Sequence, residues 1–336
     1  MGFDDIYLAG AAACLPERVS VADAVAEGLC DAAIARSTDF VSVSVTDGDP
    51  PAALAVRAAE VALKRSGHQA EDIGLTLHAD VYYQGHDLWP PASYVQREIG
   101  ATRGPSIEIR QMSNGGMAAV QLGAAFLADG TGQSAVLLTT GDVFLPPGFD
   151  RWRSDSGTFY ADGGTALVLS RHDGFARLRS LATVSEPELE GMHRGDDPFG
   201  AAPFSIRAPL SLDSCKQDFV TARGQSYCLS RVASGQSEAL EQALTQAGAS
   251  LADIHHFVLP HFGLRRLANG YLRRWDVDPD RTTWSWARTV GHLGAGDQFA
   301  GLAHLVEQER ARSGELCLVA AVGAGYTWTC AVIEFV

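Results

Sequence analysis

The sequence has no Cys-x-x-Cys pair, no long apolar run and a shortage of positive charge, and each absence removes a class of protein. Its six cysteines (Cys14, Cys30, Cys215, Cys228, Cys317 and Cys330) are scattered, several of them in apolar strand-like runs. That distribution suits reduced core residues and indicates neither a disulfide framework nor a cysteine metal site. No apolar stretch approaches the roughly 18 residues needed to span a bilayer, and the opening MGFDDIYLAG is acidic where a secretory signal is basic. A soluble, cytoplasmic protein with no membrane partner is expected. Against 26 Lys and Arg stand 40 Asp and Glu, a formal net charge of −14. Such a surface repels phosphate backbones, so nucleic acid is not an expected partner and any anionic partner must find a local basic patch.

What is present is a chain of 336 residues, 46% hydrophobic and 20% charged, able to bury a substantial core as one large domain or two ordinary ones. It repeats itself once. VRAAEVALKRSGHQAEDIGLTLHAD (56 to 80) reads as an amphipathic helix stopped by Gly67, a turn with Asp72 and an apolar strand; QSEALEQALTQAGASLADIHHFVLPH (236 to 261) has the same layout. Gly248 and Asp253 lie 181 positions after Gly67 and Asp72 (248 − 67 = 253 − 72 = 181). Each copy runs on into a Gly-rich turn, an Ala/Leu-rich helix and two more strands. The expected fold is α/β, an internal duplication of two βαβ-rich halves, 1–172 and 173–336, with mainly parallel sheets and sites at the C-terminal ends of strands. Two polar, Gly/Pro-rich segments, 143–163 and 191–210, are expected to cover a pocket rather than enter the core.

Ser113 ends an apolar strand in IEIRQMSNGG, just where a helix begins and its N–H groups point outward. A helix cap is one reading and a nucleophile another. The corresponding turn of the second half, RTVGHLGAGDQF, offers His292, 179 positions later (292 − 113 = 179). If the halves pack about a pseudo-twofold axis, the two residues meet. Asp297 can orient the imidazole across the flexible Gly294 and Gly296, or cap the following helix. His261 ends the strand FVLPH at a functional edge, whereas His255 and His256 begin it. In VGAGYTW the small residues Gly323, Ala324 and Gly325 let backbone N–H groups approach a substrate oxygen, with a plain hairpin as the alternative. Arg265, Arg266, Arg273 and Arg274 fall on one broad helical face, either merely solvated or a dock for an acidic carrier protein or a phosphopantetheine phosphate.

These segments together, with LPERVSVAD near the start and GAGYTWTCAVIEF at the end, resemble the ketoacyl synthase III branch of the thiolase superfamily over the whole chain. The resemblance implies a five-layered αβαβα fold, usually a homodimer, with a tunnel for an acyl-phosphopantetheine arm and no permanently bound cofactor. It further implies an oxyanion hole from the backbone N–H groups of Ser113 and Ala324, and a gate position at Trp89. Where the family has Cys-His-Asn, this chain has Ser113, His261 and His292. The family's adenine-stacking arginine has no clear counterpart, although Arg151 and Arg153 are near, which leaves acyl-CoA and acyl carrier protein both open as donor. An Asn-less site undermines decarboxylative condensation, and a serine needs the base that His292 and Asp297 supply. The pattern resembles members that move acyl groups in natural-product pathways: an acyltransferase passing an acyl group through O-acyl-Ser113 to a small-molecule hydroxyl or amine or to a carrier thiol. A starter-unit ketosynthase and a non-catalytic acyl-binding dimer partner are the alternatives. An α/β-hydrolase is excluded because QMSNG lacks the Gly two residues before Ser and the order is Ser, His, Asp.

Overall fold

The computed structural model describes residues 5–101, 104–129 and 132–336. Nine strands make the main sheet: β1 (Tyr7–Cys14), β2 (Ile73–Ala79), β3 (Ser106–Ile109), β4 (Ala135–Asp142), β5 (Gly163–Ser170), β6 (Ala176–Ser185), β7 (Ile254–Val258), β8 (Leu316–Gly323) and β9 (Thr327–Phe335). Their order is β3-β2-β4-β5-β1-β6-β9-β8-β7. β1 touches β6 through two residue pairs alone, Tyr7 with Arg177 and Leu8 with Ala176, so the sheet divides into a five-stranded and a four-stranded half. The halves repeat one pattern. β2 runs parallel to β4 as β7 does to β8, and β4 is antiparallel to β5 as β8 is to β9.

The expectation of mainly parallel sheets is therefore corrected to a mixed sheet. Each half has one helix crossover into β4 or β8, but the next strand returns antiparallel, in the second half through the short 323–327 turn. Antiparallel neighbours need only such a connection.

Four helices complete the layers: α1 (Pro51–Ser66), α2 (Gly115–Ala128), α3 (Gln225–Ala247) and α4 (Asp297–Glu307). α1 and α3 cover the outer faces. Ala58, Ala59 and Ala62 pack on Leu137 and Val168, and Ala239, Leu240 and Ala243 on Leu318 and Val332. α2 and α4 fill the space between the two sheets, where Met117, Phe299 and Leu302 join Leu77, Leu138, Leu178 and Val319 in one cluster. Each such apolar side chain, fully buried, contributes about 1.5–3 kcal/mol. The result is helix, sheet, helices, sheet, helix, the architecture expected from the duplicated sequence.

The repeat extends to its punctuation. α1 and α3 both end on a glycine in the left-handed region, Gly67 at φ 73° and Gly248 at φ 65°. A short 3-10 turn follows each, closed by the same reciprocal cap: Asp72 accepts from the Gln69 N–H at 2.8 Å and Asp253 from the Ser250 N–H at 2.8 Å. These local signals fix where each crossover re-enters its sheet.

Residues 143–163 are far more buried than their composition suggested. Phe144, Phe149, Trp152, Phe159 and Tyr160 are all buried, and Arg151 is buried with them, its guanidinium forked on Asp162 at 2.9 Å for both bonds. The polar residues expected to keep this segment outside instead satisfy one another inside.

Candidate active site

Two turns that each lead into a central helix meet at the centre of the molecule; the first follows a strand, whereas the second follows the short helix Trp284–Ala287 and not the strand expected before His292. In the first, Met112–Asn114 form a 3-10 turn ahead of α2, with Met112 at φ 50°, a left-handed backbone that a methionine rarely adopts. Asn114 is buried and pins the turn, its amide donating to Gln111 Oε1 at 2.6 Å and Thr329 Oγ1 at 2.9 Å. In the second, Gly294–Gly296 lead into α4. Gly116 sets the contact between them, because a Cβ there would lie 2.5 Å from the Ala295 carbonyl. Only glycine allows so close an approach.

The approach brings Ser113 Oγ to 2.9 Å from His292 Nε2. On the other side of the ring, His292 Nδ1 stands 2.6 Å from Asp297 Oδ2. With the Nδ1–H donated to the carboxylate, Nε2 is left to accept the serine hydroxyl proton. Neither Ser113 nor Asp297 uses its side chain to cap its own helix. Asp297 Oδ1 accepts from the Leu293 N–H at 2.8 Å and Oδ2 from the His261 N–H at 2.8 Å. Burial would raise the Asp297 carboxyl, but the neighbouring His261 and His292 and these hydrogen bonds outweigh it and hold the group below the ordinary carboxylate value. Residues 159–161 grip the backbone of His292: its N–H donates to Phe159 O at 2.9 Å and its carbonyl accepts from Ala161 N at 2.7 Å.

Two cavities open on Ser113. One, about 390 Å³, is lined by Val81, Tyr82, Phe144, Phe149, Tyr160 and Phe204 and is largely aromatic. The other, about 580 Å³, adds His292 and the polar residues Asp155, Lys216, Gln217, Gln225, Gln236 and Arg266. Both segments expected to cover a pocket line these walls, 143–163 through Phe144 and Phe149 and 191–210 through Phe204 and Ile206. Ala324 lines both cavities, beside Ser113. Gly323 packs directly on the serine turn, its position too close to Gln111 O for any Cβ.

Other sequence readings change. His261 is fully buried and lines neither cavity; its ring lies beside Asp297, with Nδ1 3.1 Å from Gly291 O and 3.4 Å from Asp297 Oδ1. Trp89 also lines neither cavity, packing between His86 and Tyr94. Of the four arginines, Arg266 leaves the shared face: it turns inward onto Asp155 with bonds of 2.8 and 2.5 Å. A π-helical turn at Ala268–Leu272, between the short α-helical segments Leu264–Leu267 and Arg273–Trp275, further breaks the face by separating Arg273 and Arg274 from Arg265 and Arg266. Arg273 bonds Asn269 Oδ1 at 2.8 Å, Arg274 bonds Ala233 O at 2.9 Å, and Arg265 is exposed. Arg151, a candidate for contact with CoA, is committed to Asp162, whereas Arg153 is exposed.

The sequence reading missed His193, Tyr160 and Asp155. His193 lines both cavities with its Nδ1 unpartnered, and burial pushes its imidazole down to about 4, so it is neutral at pH 7. No periodicity marks a histidine inside the loop GMHRGDD; only its place in the folded pocket does. Among the described residues no group of His, Cys, Asp and Glu is arranged to hold a metal, and no helix is long and apolar enough to cross a membrane.

Comparison with known proteins agrees with this architecture. The family described as 3-oxoacyl-[acyl-carrier-protein] synthase III C terminal matches residues 244–335. The solved structure of ChlB3, described as an acyltransferase, is 34% identical, covers 99% of this chain and 98% of that one, and superposes with a TM-score of 0.94. The β-ketoacyl-[acyl-carrier-protein] synthase III of Caulobacter vibrioides is 28% identical over 305 residues, 86% of this chain and 85% of that protein. The structure of the 3-oxoacyl-[acyl-carrier-protein] synthase III of Aquifex aeolicus, 18% identical, covers 98% of this chain and all of that one at a TM-score of 0.79. This chain belongs to the ketoacyl synthase III branch of the thiolase superfamily, a family of transferases.

Proposed function

We propose that the protein is an acyltransferase that carries its acyl group on Ser113. The observation that carries this reading is the hydrogen-bonded chain Ser113–His292–Asp297, 2.9 and 2.6 Å, opening on two cavities. Ser113 Oγ attacks the thioester carbonyl carbon while its proton passes to His292 Nε2. The oxyanion rests against the backbone N–H groups of Ser113 and Ala324. Collapse breaks the carbon–sulfur bond, His292 protonates the departing thiol, and O-acyl-Ser113 remains. An acceptor hydroxyl, amine or carrier thiol then gives its proton to His292 Nε2, attacks the ester, and Ser113 recovers the proton as it leaves. His261 acts through Asp297 as a positioning residue, since it faces neither cavity.

The acyl donor is a phosphopantetheine thioester on acyl carrier protein or CoA, and the setting a secondary, polyketide-type pathway. The similarity to ChlB3, described as an acyltransferase, supports the transfer, and the acyl-carrier-protein synthases among the relatives support a carrier thioester as donor. We further place the protein in the cytoplasm as a homodimer joined at β3, the edge of the sheet: Ile107 on that strand, with Tyr83, Leu88 and Leu122, leaves apolar surface exposed. Trp89 then serves at that interface rather than inside its own cavity.

Decarboxylative condensation is the second reading, favoured by the names of relatives such as the Caulobacter enzyme. The experiment is to mix the acyl-loaded protein with malonyl carrier protein, or with nucleophilic acceptors, and follow carbon dioxide and product. Acyl transfer without carbon dioxide supports the proposal. Carbon dioxide release matched by a β-ketoacyl product would replace it with condensation, and ligand binding with neither product would leave an acyl-binding scaffold.

A further inference from the structure

Four of the described residues border both cavities: Ser113, Ala324, Tyr160 and His193. The first two hold the reacting carbonyl in the proposed mechanism, and the other two have no part in it. The remaining polar side chains of the aromatic cavity are committed. Tyr82 donates its hydroxyl to Leu145 O at 2.9 Å, Ser205 donates to Ala202 O at 2.7 Å, and Arg207 donates to Asp197 Oδ1 at 2.9 Å. His193 and Tyr160 differ, since among the described residues neither side chain has a hydrogen-bond partner.

Both are donors at pH 7. Burial pushes the His193 imidazole down to about 4, and burial with the nearby Asp155 charge holds the Tyr160 phenol well above its ordinary value, so each is neutral. Of the two nitrogens of His193, Nδ1 is the one sealed from solvent. A sealed nitrogen without a partner is better left as a bare lone pair, because orphaned N–H groups are the rarer in folded proteins. That places the ring proton on Nε2, the nitrogen left open to the cavities. Packing fixes both rings: His193 stands edge-on to Tyr326, with centroids 5.7 Å apart, and Tyr160 edge-on to His292 at 4.9 Å.

We propose that His193 and Tyr160 read an oxygen on the acyl group, so that the protein selects acyl groups bearing a hydroxyl, carbonyl or ether oxygen one or two carbons beyond the thioester carbonyl. The inference rests on the acyl-serine reading. An acyl carbon bonded to Ser113 keeps its first neighbours at the junction whichever cavity takes the rest of the chain, so an oxygen there meets the two donors. The carbonyl oxygen itself goes to the backbone N–H groups of Ser113 and Ala324. The acceptor's reacting atom also reaches this point, but it needs its lone pair free for attack and gives its proton to His292, so donors aimed at it would slow the step. An acyl group without such an oxygen strips water from both donors and replaces it with nothing. Sites built to hydrogen-bond a polar group reject the analogue that lacks it for this reason.

The test compares the pantetheine thioesters of hexanoic, 2-hydroxyhexanoic and 3-hydroxyhexanoic acids, which differ only in the oxygen. Acylation rates are read by mass spectrometry on the native protein, and binding by calorimetry on Ser113→Ala, where no chemistry follows. At least one hydroxyacyl thioester should acylate the native protein about tenfold or more faster than the hexanoyl one, and should bind Ser113→Ala more tightly by a similar factor. Tyr160→Phe and His193→Phe each keep a ring and remove a donor, and each should slow the hydroxyacyl thioester far more than the hexanoyl one. His193→Gln keeps a neutral N–H donor and should retain part of the preference. Should His193→Phe fail to fold, His193→Leu takes its place as the variant without a donor. Equal acylation of the native protein by all three thioesters would overturn the oxygen reading and leave the acyl-serine reading standing. Equal slowing of all three in the Phe variants would also overturn it, by assigning the two donors to the carbonyl oxygen that the thioesters share. If no thioester labels Ser113 while the binding preference holds in Ser113→Ala and is lost on adding Tyr160→Phe, the acyl-serine reading falls and the oxygen reading stands.

Discussion

The turn that carries Ser113 and the turn that carries His292 and Asp297 descend from one repeated unit, yet they are built to opposite ends. Both lead into a central helix through a 3-10 turn. The serine turn is partly open to both cavities and is held by side chains, Asn114 on Thr329 and Gln111. The histidine turn is sealed, with His292 and Asp297 each 1% exposed, and is held by backbone N–H groups donated to one carboxylate. Duplication supplied two equivalent positions on an axis. In the proposed mechanism, divergence gave one the reacting oxygen, which must meet substrate, and the other the base and its orienting charge, which work best away from water.

Four changes break or sharpen that contrast. Ser113→Ala empties the open turn: acylation should fall by about 10⁴-fold or more, while the melting temperature stays within a few degrees, because the side chain is only partly buried. Acylation followed by mass spectrometry and calorimetry of the fold read the two effects separately. Asp297→Asn breaks the sealed turn. The amide offers one acceptor oxygen where the carboxylate holds His292 Nδ1 and the N–H groups of Leu293 and His261. The acylation rate should fall roughly 10³–10⁴-fold, and stability by about 3 kcal/mol, measured by urea unfolding. The pH dependence follows. Because folding depresses the Asp297 carboxyl below its unfolded value of 3.8, its contribution is present above that value and is lost as pH falls through the folded value. The Asn variant should therefore show a shallower acid loss below about pH 4 than the native chain.

Gly116→Ala attacks the contact between the turns, placing a Cβ 2.5 Å from Ala295 O. A displacement of this order should cost about 10²-fold in acylation, far more than it costs in substrate binding. The smallest effect belongs to His193, outside both turns. Its imidazole is depressed from 6.5 to about 4, so its stabilising contribution is present above 6.5 and is lost as pH falls from there to about 4. His193→Gln should flatten the fall in melting temperature across that window by a few degrees, measured by differential scanning calorimetry.

What was legible in the sequence was whatever the duplication wrote twice or a local signal wrote once. The offset of 181 between Gly67 and Gly248 appears in space as two matching helix ends and caps, and the nearly equal offset of Ser113 and His292 as a hydrogen bond. Illegible were choices made by distant partners. Nothing in RRLANGYLRRW shows that a π-turn breaks the helical face or that Asp155, over a hundred residues earlier, draws the Arg266 guanidinium inward. A polar run such as FDRWRSDSGTFYADG looks like surface until Arg151 and Asp162 neutralise one another inside. His261 kept its position in the chain, but its sealed setting follows from the carboxylate at 297 that now holds its backbone.

The account rests on Ser113 becoming acylated, and one measurement addresses that most directly: intact-protein mass spectrometry of the native chain and Ser113→Ala after exposure to a panel of acyl-carrier and acyl-CoA thioesters. The account predicts a mass gain equal to one acyl group on the native chain, mapped to the peptide containing Ser113 and absent from the variant. An equal gain on both proteins, or a native chain that turns over thioester to product in single-turnover experiments without ever carrying the acyl group, would contradict it.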